Sequence, residues 1–168
     1  MQNLFINIRE ATTKDLPTIM QIESLCFPHG AWKEENILYE LNENPVAHFW
    51  VIELALNEND TYRVVGFCDY WETFDSATIC QIAVHPYLQR KQLGTAMMDE
   101  IYNDCFAKKV QTITLEVRVG NLPAINFYKK QGFEIETTKP HYYDNGEDAY
   151  YMIQLLKLMP FYFTFKII

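Results

Sequence analysis

At 168 residues, with 49% hydrophobic and 21% charged residues, the chain has the size and composition of one globular domain, which excludes a disordered protein. Lys and Arg number 14 against 22 Asp and Glu, a formal net charge of −8, and so acidic a surface excludes nucleic acid as the main partner. No apolar run reaches the ~18 residues of a membrane span, and the N-terminus carries no signal-peptide pattern. A cytoplasmic chain with no membrane partner is expected.

Leu4 to Ile8 alternates and predicts a first strand. Thr12 or Thr13 can cap a helix over about 14–25, with Asp15 in its first turn and Leu16, Ile19, Met20 and Ile22 as its apolar stripe. Pro28 and Gly30 break the chain before a second helix at about 33–43, carrying Ile37, Leu38 and Leu41 on one side. Three strand-like runs follow, His48 to Leu56, Tyr62 to Trp71 and Thr78 to Val84, separated by polar turns at Asn57 to Thr61 and Thr73 to Ser76.

From Leu93 the period turns helical, through Met97, Ile101 and Cys105, with Met98 and Tyr102 widening the stripe. Thr112 to Val119 alternates strictly, with Ile113, Leu115, Val117 and Val119 on one face. Asn121 can cap a short helix from Leu122 that closes at Lys129, Lys130 and Gly132. Strands near Phe133 to Thr138 and Ala149 to Leu156 complete the order β-α-α-β-β-β-α-β-α-β-β, an α/β fold with a mixed central sheet. One domain over 1–157 is expected, followed by an apolar tail, 158–168, able to add an edge strand, cover the core or meet a second subunit.

Cys26, Cys68, Cys80 and Cys105 are scattered without a C-x-x-C pair, and His29, His48, His85 and His141 never stand at i, i+4. No metal is expected, and the thiols read as free in a reducing compartment.

The segment Ile82-Ala83-Val84-His85-Pro86-Tyr87-Leu88-Gln89-Arg90-Lys91-Gln92-Leu93-Gly94-Thr95-Ala96 joins a strand to a helix through a basic loop. Such a junction aims unpaired backbone N–H groups and a positive helix end at one spot, suited to a phosphate or pyrophosphate. It is neither a Walker A loop nor G-x-G-x-x-G, and an ordinary turn with solvated Arg90 and Lys91 satisfies the same residues.

Val84-x-Pro86-x-x-Gln89-x-x-x-x-Gly94-x-Ala96 resembles the acetyl-CoA loop of the GNAT acetyltransferases, Q/R-x-x-G-x-G/A, and the element order is that superfamily's. Cys26-Phe27-Pro28-His29-Gly30-Ala31-Trp32, Leu115-Glu116-Val117-Arg118-Val119-Gly120-Asn121, Ala124 to Phe133 and Tyr142-Tyr143 with Gly146-Glu147-Asp148-Ala149 resemble its RimI-like branch, the bacterial ribosomal-protein-alanine N-acetyltransferases. The likeness spans about residues 5–157. It implies that Ile82, Ala83, Val84, Gln89, Arg90, Lys91, Gln92, Leu93, Gly94, Thr95, Ala96 and Asn121 hold acetyl-CoA, with the backbone of 82–84 pairing to the pantetheine. Gln92 departs from the pattern's first glycine. If that position needs φ > 0, a side chain costs of order 1 kcal/mol, and a Gln92→Gly variant is expected to bind the cofactor more tightly.

The likeness further implies Glu116 as the base that takes the amine's proton and Tyr128 as the acid that protonates the leaving thiolate. Read from pattern alone, Glu116 is equally a solvated carboxylate paired with Arg118, Tyr128 a core aromatic and Asn121 a helix cap. Phe27, Trp32, Tyr142 and Tyr143 match the walls of the family's peptide groove, or else are partly buried loop aromatics. Glu34, Glu35, Glu40, Glu43, Asp144, Glu147 and Asp148 suit a basic acceptor. The expected reaction moves acetyl from acetyl-CoA to the N-terminal alanine of a basic ribosomal protein, carried out by a monomer or weak homodimer. A small-amine acetyltransferase (polyamine or amino sugar) and a non-catalytic CoA-binding module stay open beside it.

Overall fold

A computed structural model describes residues 5–57 and 59–156. The elements run β1 (Phe5–Glu10), α1 (Leu16–Cys26), α2 (Glu34–Asn42), β2 (Ala47–Ala55), β3 (Arg63–Thr73), β4 (Ser76–Val84), α3 (Leu93–Ala107), β5 (Thr112–Arg118), α4 (Leu122–Lys130), β6 (Glu134–Lys139) and β7 (Ala149–Leu155), with 3₁₀ turns at Thr13–Asp15 and Pro86–Leu88. This is the order read from the sequence. The strands form one seven-stranded sheet, β1-β2-β3-β4-β5-β7-β6, in which β4 and β5 are parallel and every other pair is antiparallel.

Alternation along the strands gives the sheet two apolar faces, each covered by helices. Met97, Met98 and Ile101 of α3 and Ile125 and Tyr128 of α4 pack with Ile79, Ile113, Leu115, Val117 and Met152. On the other face Ile19 and Ile22 of α1 and Ile37 of α2 meet Phe49, Val51, Phe67 and Ala83. Each such aliphatic side chain contributes about 1.5–3 kcal/mol by leaving water. Within β5, Ile113, Leu115 and Val117 enter the first core, so Glu116 and Arg118 face the α1/α2 side.

The sheet is not closed throughout. β4 and β5 pair only from Ser76↔Thr112 to Ile79↔Leu115. Against β3 the register shifts at the next residue, because Tyr70 pairs with Ile79 and Asp69 with Gln81. Cys80 is thus an inserted residue, and a bulge of this kind bends its strand and increases its twist. Beyond Cys80 the two parallel strands diverge and leave a wedge. Gly66 lets β3 follow β4 around the bend, since a Cβ there would lie 2.6 Å from the Ala83 carbonyl oxygen.

Several boundaries differ from the sequence reading. β1 runs on to Glu10, held by its pairing with Trp50. The first helix is preceded by a 3₁₀ turn in which Asp15, beyond its place near the helix start, takes a two-pronged hydrogen bond from Arg9, at 2.9 Å on each oxygen. The turn expected over Thr73 to Ser76 shrinks to Phe74 and Asp75, with Phe74 fully exposed at φ 53°. Leu4 and the 158–168 tail lie outside the described residues. Among the described residues no helix is long and apolar enough to cross a membrane.

Candidate active site

The wedge presents main chain. The His85 N–H donates to the Val65 carbonyl of β3 at 2.8 Å. Since peptide groups alternate sides along a strand, Ala83 addresses β3 while Ile82 and Val84 address the wedge, where among the described residues no strand lies opposite them. The Val84 carbonyl accepts from Gln89 Nε2 at 3.1 Å and Cys26 Sγ at 3.3 Å, which closes the strand's end.

The loop then turns through two left-handed residues, Arg90 (φ 62°) and Gln92 (φ 63°). The conditional reading of Gln92 is answered: the position does take positive φ, without a glycine. The first bond of α3 runs from the Ala96 N–H to the Gln92 carbonyl at 2.9 Å, which leaves the N–H groups of Leu93, Gly94 and Thr95 heading a 15-residue helix. Such a helix head, with the dipole behind it, is suited to an anion. A Cβ at Gly94 would lie 3.4 Å from the Phe127 ring, so the loop and α4 approach closely there.

Between these elements lies a cleft of about 910 Å³. Ile82, Ala83, Val84, Gln89, Arg90, Gln92, Leu93, Gly94, Thr95 and Asn121, all expected to hold the cofactor, line it. Lys91 and Ala96 do not: Lys91 is exposed and Ala96 turns toward the core. Cys26, Asn126, Phe127 and Lys130 line the cleft although the sequence reading gave them no binding role. Their spacing marks only a helix end and a helix face, and position relative to β4 is a tertiary property. Asn121 caps α4, its side chain accepting from the Ala124 N–H at 3.3 Å, and it also lines the cleft.

Tyr128 reaches the cleft from the α3/α4 side, packed edge-on against Phe127 and Phe133 at 5.2 and 5.7 Å between centroids. Burial pushes its phenol up, so it is protonated at neutral pH. Glu116 does not line the cleft. It stands on the opposite face of β5, and Lys139 Nζ donates to its Oε1 at 2.5 Å. The pairing with Arg118 offered as an alternative is not formed. Arg118 instead donates to Glu147 Oε2 (2.8 Å), Asn145 Oδ1 (3.1 Å) and the His29 carbonyl (2.8 Å), with its guanidinium 3.8 Å above the Tyr143 ring.

Arg118 therefore ties the loop after α1 to the loop after β6. Of the expected groove residues, Phe27 lines the cleft, whereas Trp32, Tyr142 and Tyr143 lie outside it. Trp32 packs on the α1/α2 core while its backbone N–H donates to Glu23 Oε1 at 2.6 Å. Tyr142 and Tyr143 meet edge-on at 5.1 Å. Glu40, expected among the surface carboxylates, is buried and accepts from Trp71 Nε1 at 2.8 Å. His48, Glu72 and Asp104 converge as metal ligands do, but Lys108 Nζ stands 2.7 Å from both carboxylates and 3.2 Å from His48 Nε2, in the place of a cation.

The acetyltransferase (GNAT) family pattern matches residues 16–133. The chain belongs to the GNAT acetyltransferase family. GNAT enzymes use acetyl-CoA, and the chain is accordingly an acyltransferase. A Bacillus subtilis (strain 168) protein named for alanine N-acetylation of ribosomal protein bS18 is 35% identical over 146 residues, covering 86% of this chain and 92% of its own. The [ribosomal protein bS18]-alanine N-acetyltransferase of Escherichia coli K12 is 31% identical over 150 residues, covering 86% and 94%. The crystal structure of the Escherichia coli ribosomal-protein-S18-alanine N-acetyltransferase superposes with a TM-score of 0.78 at 27% identity, over 95% of this chain and all of that one.

Proposed function

We propose that the protein transfers the acetyl group of acetyl-CoA directly to the N-terminal α-amine of a ribosomal protein that begins with alanine, of the bS18 kind named in its relatives. The observation that carries this reading is the wedge beyond Cys80. There the Ile82 and Val84 main chain, the head of α3 and Tyr128 converge on one cleft.

The pyrophosphate of acetyl-CoA lies on the N–H groups of Leu93, Gly94 and Thr95, beside Arg90, and its pantetheine pairs with β4 as an added strand. The acceptor enters from the α1/α2 face, between the loops joined by Arg118. The neutral amine attacks the thioester carbon, and the oxyanion is met by an N–H of Ile82 or Val84. The C–S bond breaks, Tyr128 gives its proton to the thiolate, and the amine's surplus proton passes to Glu116, directly or through water. An α-amine, with pKa about 7.7–8.0, needs far less help in losing that proton than lysine at about 10.4.

Intact-mass measurement of purified bS18, and of a short basic peptide beginning with alanine, after incubation with acetyl-CoA tests the reading. One added acetyl group on the α-amine is expected. Acetylation of spermidine or an amino sugar but not of the peptide would replace it with the small-amine reading, and no release of free CoA with any acceptor would leave a CoA-binding module.

A further inference from the structure

The ion pair at Glu116 bears on how the acceptor is received. Glu116 sits midway along β5 and pairs across the sheet with Tyr151 of β7, which in turn pairs with Thr137 of β6. Lys139 closes β6 two residues further on the same side. Its side chain crosses the Tyr151 ring, with Nζ 4.6 Å from the centroid and 5.4 Å from that of Tyr142, to donate to Glu116. Arg118 is the other cation on this face of β5, and it is taken up by Glu147 and the two loops. Among the described residues Lys139 alone forms an ion pair with Glu116.

We propose that Lys139 is a positioning residue that occupies Glu116 and so keeps it from holding the acceptor as an ammonium ion. This rests on the reading of Glu116 as the group that receives the amine's proton. An unpaired, half-buried carboxylate at the point of attack attracts the protonated amine, which has no lone pair and cannot react. Such capture strengthens ground-state binding and adds nothing to the transition state, so it lowers KM and kcat together. With Lys139 in place the ammonium form gains little, and the neutral amine proceeds.

The other titratable groups near Glu116 are Cys80 of β4, Tyr151 of β7, and Tyr142 and Tyr143 of the loop after β6. Burial raises Cys80, Tyr142 and Tyr143, so none of these three carries charge near pH 7. Lys139 is itself raised by its hydrogen bond to Glu116, and it stays an ammonium throughout the working range. Removing it therefore leaves one uncompensated negative charge facing the acceptor.

The test compares the natural protein with Lys139→Met, Lys139→Arg and the double variant Lys139→Met/Glu116→Gln. A lysine-free peptide beginning with alanine and spermidine serve as probes. Their affinities for the CoA-loaded protein are measured by calorimetry at pH 6.5, where both are cationic, and no acetyl transfer is involved. Lys139→Met is expected to bind the cations about fivefold more tightly, as an ion pair freed for the ligand would. Lys139→Arg is expected to match the natural protein, and the double variant to lose the gain.

In turnover with whichever probe the natural protein acetylates, KM and kcat of Lys139→Met are expected to fall by a similar factor at pH 7. A fivefold gain in ammonium affinity also moves the acidic limb of kcat up by about 0.7 pH unit, while the limb of kcat/KM stays in place. Unchanged cation affinity in Lys139→Met, or a gain that survives Glu116→Gln, would overturn the proposal. Failure of the natural protein to acetylate the peptide would instead overturn the ribosomal-protein reading, and the spermidine arm still decides the role of Lys139.

Discussion

At the scale of single residues, Gln92 and Tyr128 make separable predictions. Gln92 adopts φ 63°, so the cost of its side chain is built into the folded loop itself. A left-handed non-glycine residue costs about 1–2 kcal/mol, partly offset by the extra freedom glycine adds to the unfolded chain. Gln92→Gly is therefore expected to raise stability by about 0.5–1 kcal/mol, near 2 °C in Tm, and to change the calorimetric Kd for CoA less than threefold. The gain belongs to the folded loop first and to the cofactor second. A large gain in affinity at constant Tm would show instead that the loop rearranges on binding. Tyr128 is buried against Phe127 and Phe133 and lines the cleft, so Tyr128→Phe preserves the packing and removes the hydroxyl. A fall of about 10²–10³-fold in kcat is expected, with the KM for acetyl-CoA within twofold, measured by steady-state CoA release. Unchanged turnover would remove Tyr128 from the chemistry.

Among the elements, Arg118 is the join that matters. It is fixed on β5, yet its three hydrogen bonds reach the loops after α1 and β6, between which the acceptor is proposed to enter. Gly30 allows this, because a Cβ there would lie 3.0 Å from Arg118 Nη2. Arg118→Met is expected to raise the KM for an alanine-starting peptide about tenfold while the acetyl-CoA KM changes less than twofold, because α3 and α4 do not depend on it. Equal increases in both would mean that the whole wedge has shifted. These cases also mark what the sequence discloses. The Thr112–Arg118 strand, the helix headed by Leu93 and the basic loop between Val84 and Gly94 are local patterns, and each is where periodicity puts it. The wedge is not local: it follows from one inserted residue, Cys80, whose effect appears only in register with β3 and β5. The partners of Glu116 are equally hidden. Arg118, two residues away, looks the natural mate, but two loops claim it, and Lys139 reaches Glu116 only through the β5-β7-β6 order.

For the molecule as a whole, the exposed charges say less about stability than one buried carboxyl does. Asp69 is wholly buried on β3, and among the described residues neither of its oxygens has a hydrogen-bond partner. Glu23 Oε2 and Gln81 Oε1 are also buried and unpartnered, and Gln81 is the residue paired with Asp69 across the sheet. Burial, with a smaller push from Glu40, raises the Asp69 carboxyl from 3.8 to about 8, so near neutrality it is held mostly as the neutral acid. Such a group leaves folding unpenalised below its unfolded value near 3.8. It then weakens the fold progressively as pH climbs toward 8 and imposes a constant cost above that. Asp15 and Asp104, lowered by Arg9 and by Lys108 with Tyr70, act in the other sense, since their support is lost as pH falls through the carboxylate range. Asp69→Asn removes the ionisation while keeping the shape, and it supplies amide donors beside unpartnered acceptors. The difference between variant and natural protein cancels the other carboxylates. Urea unfolding is expected to show Asp69→Asn more stable by roughly 3–5 kcal/mol at pH 8.5, by less at pH 6, and by almost nothing at pH 4. A gain independent of pH would mean that the amide's new hydrogen bonds, and not the lost charge, account for it.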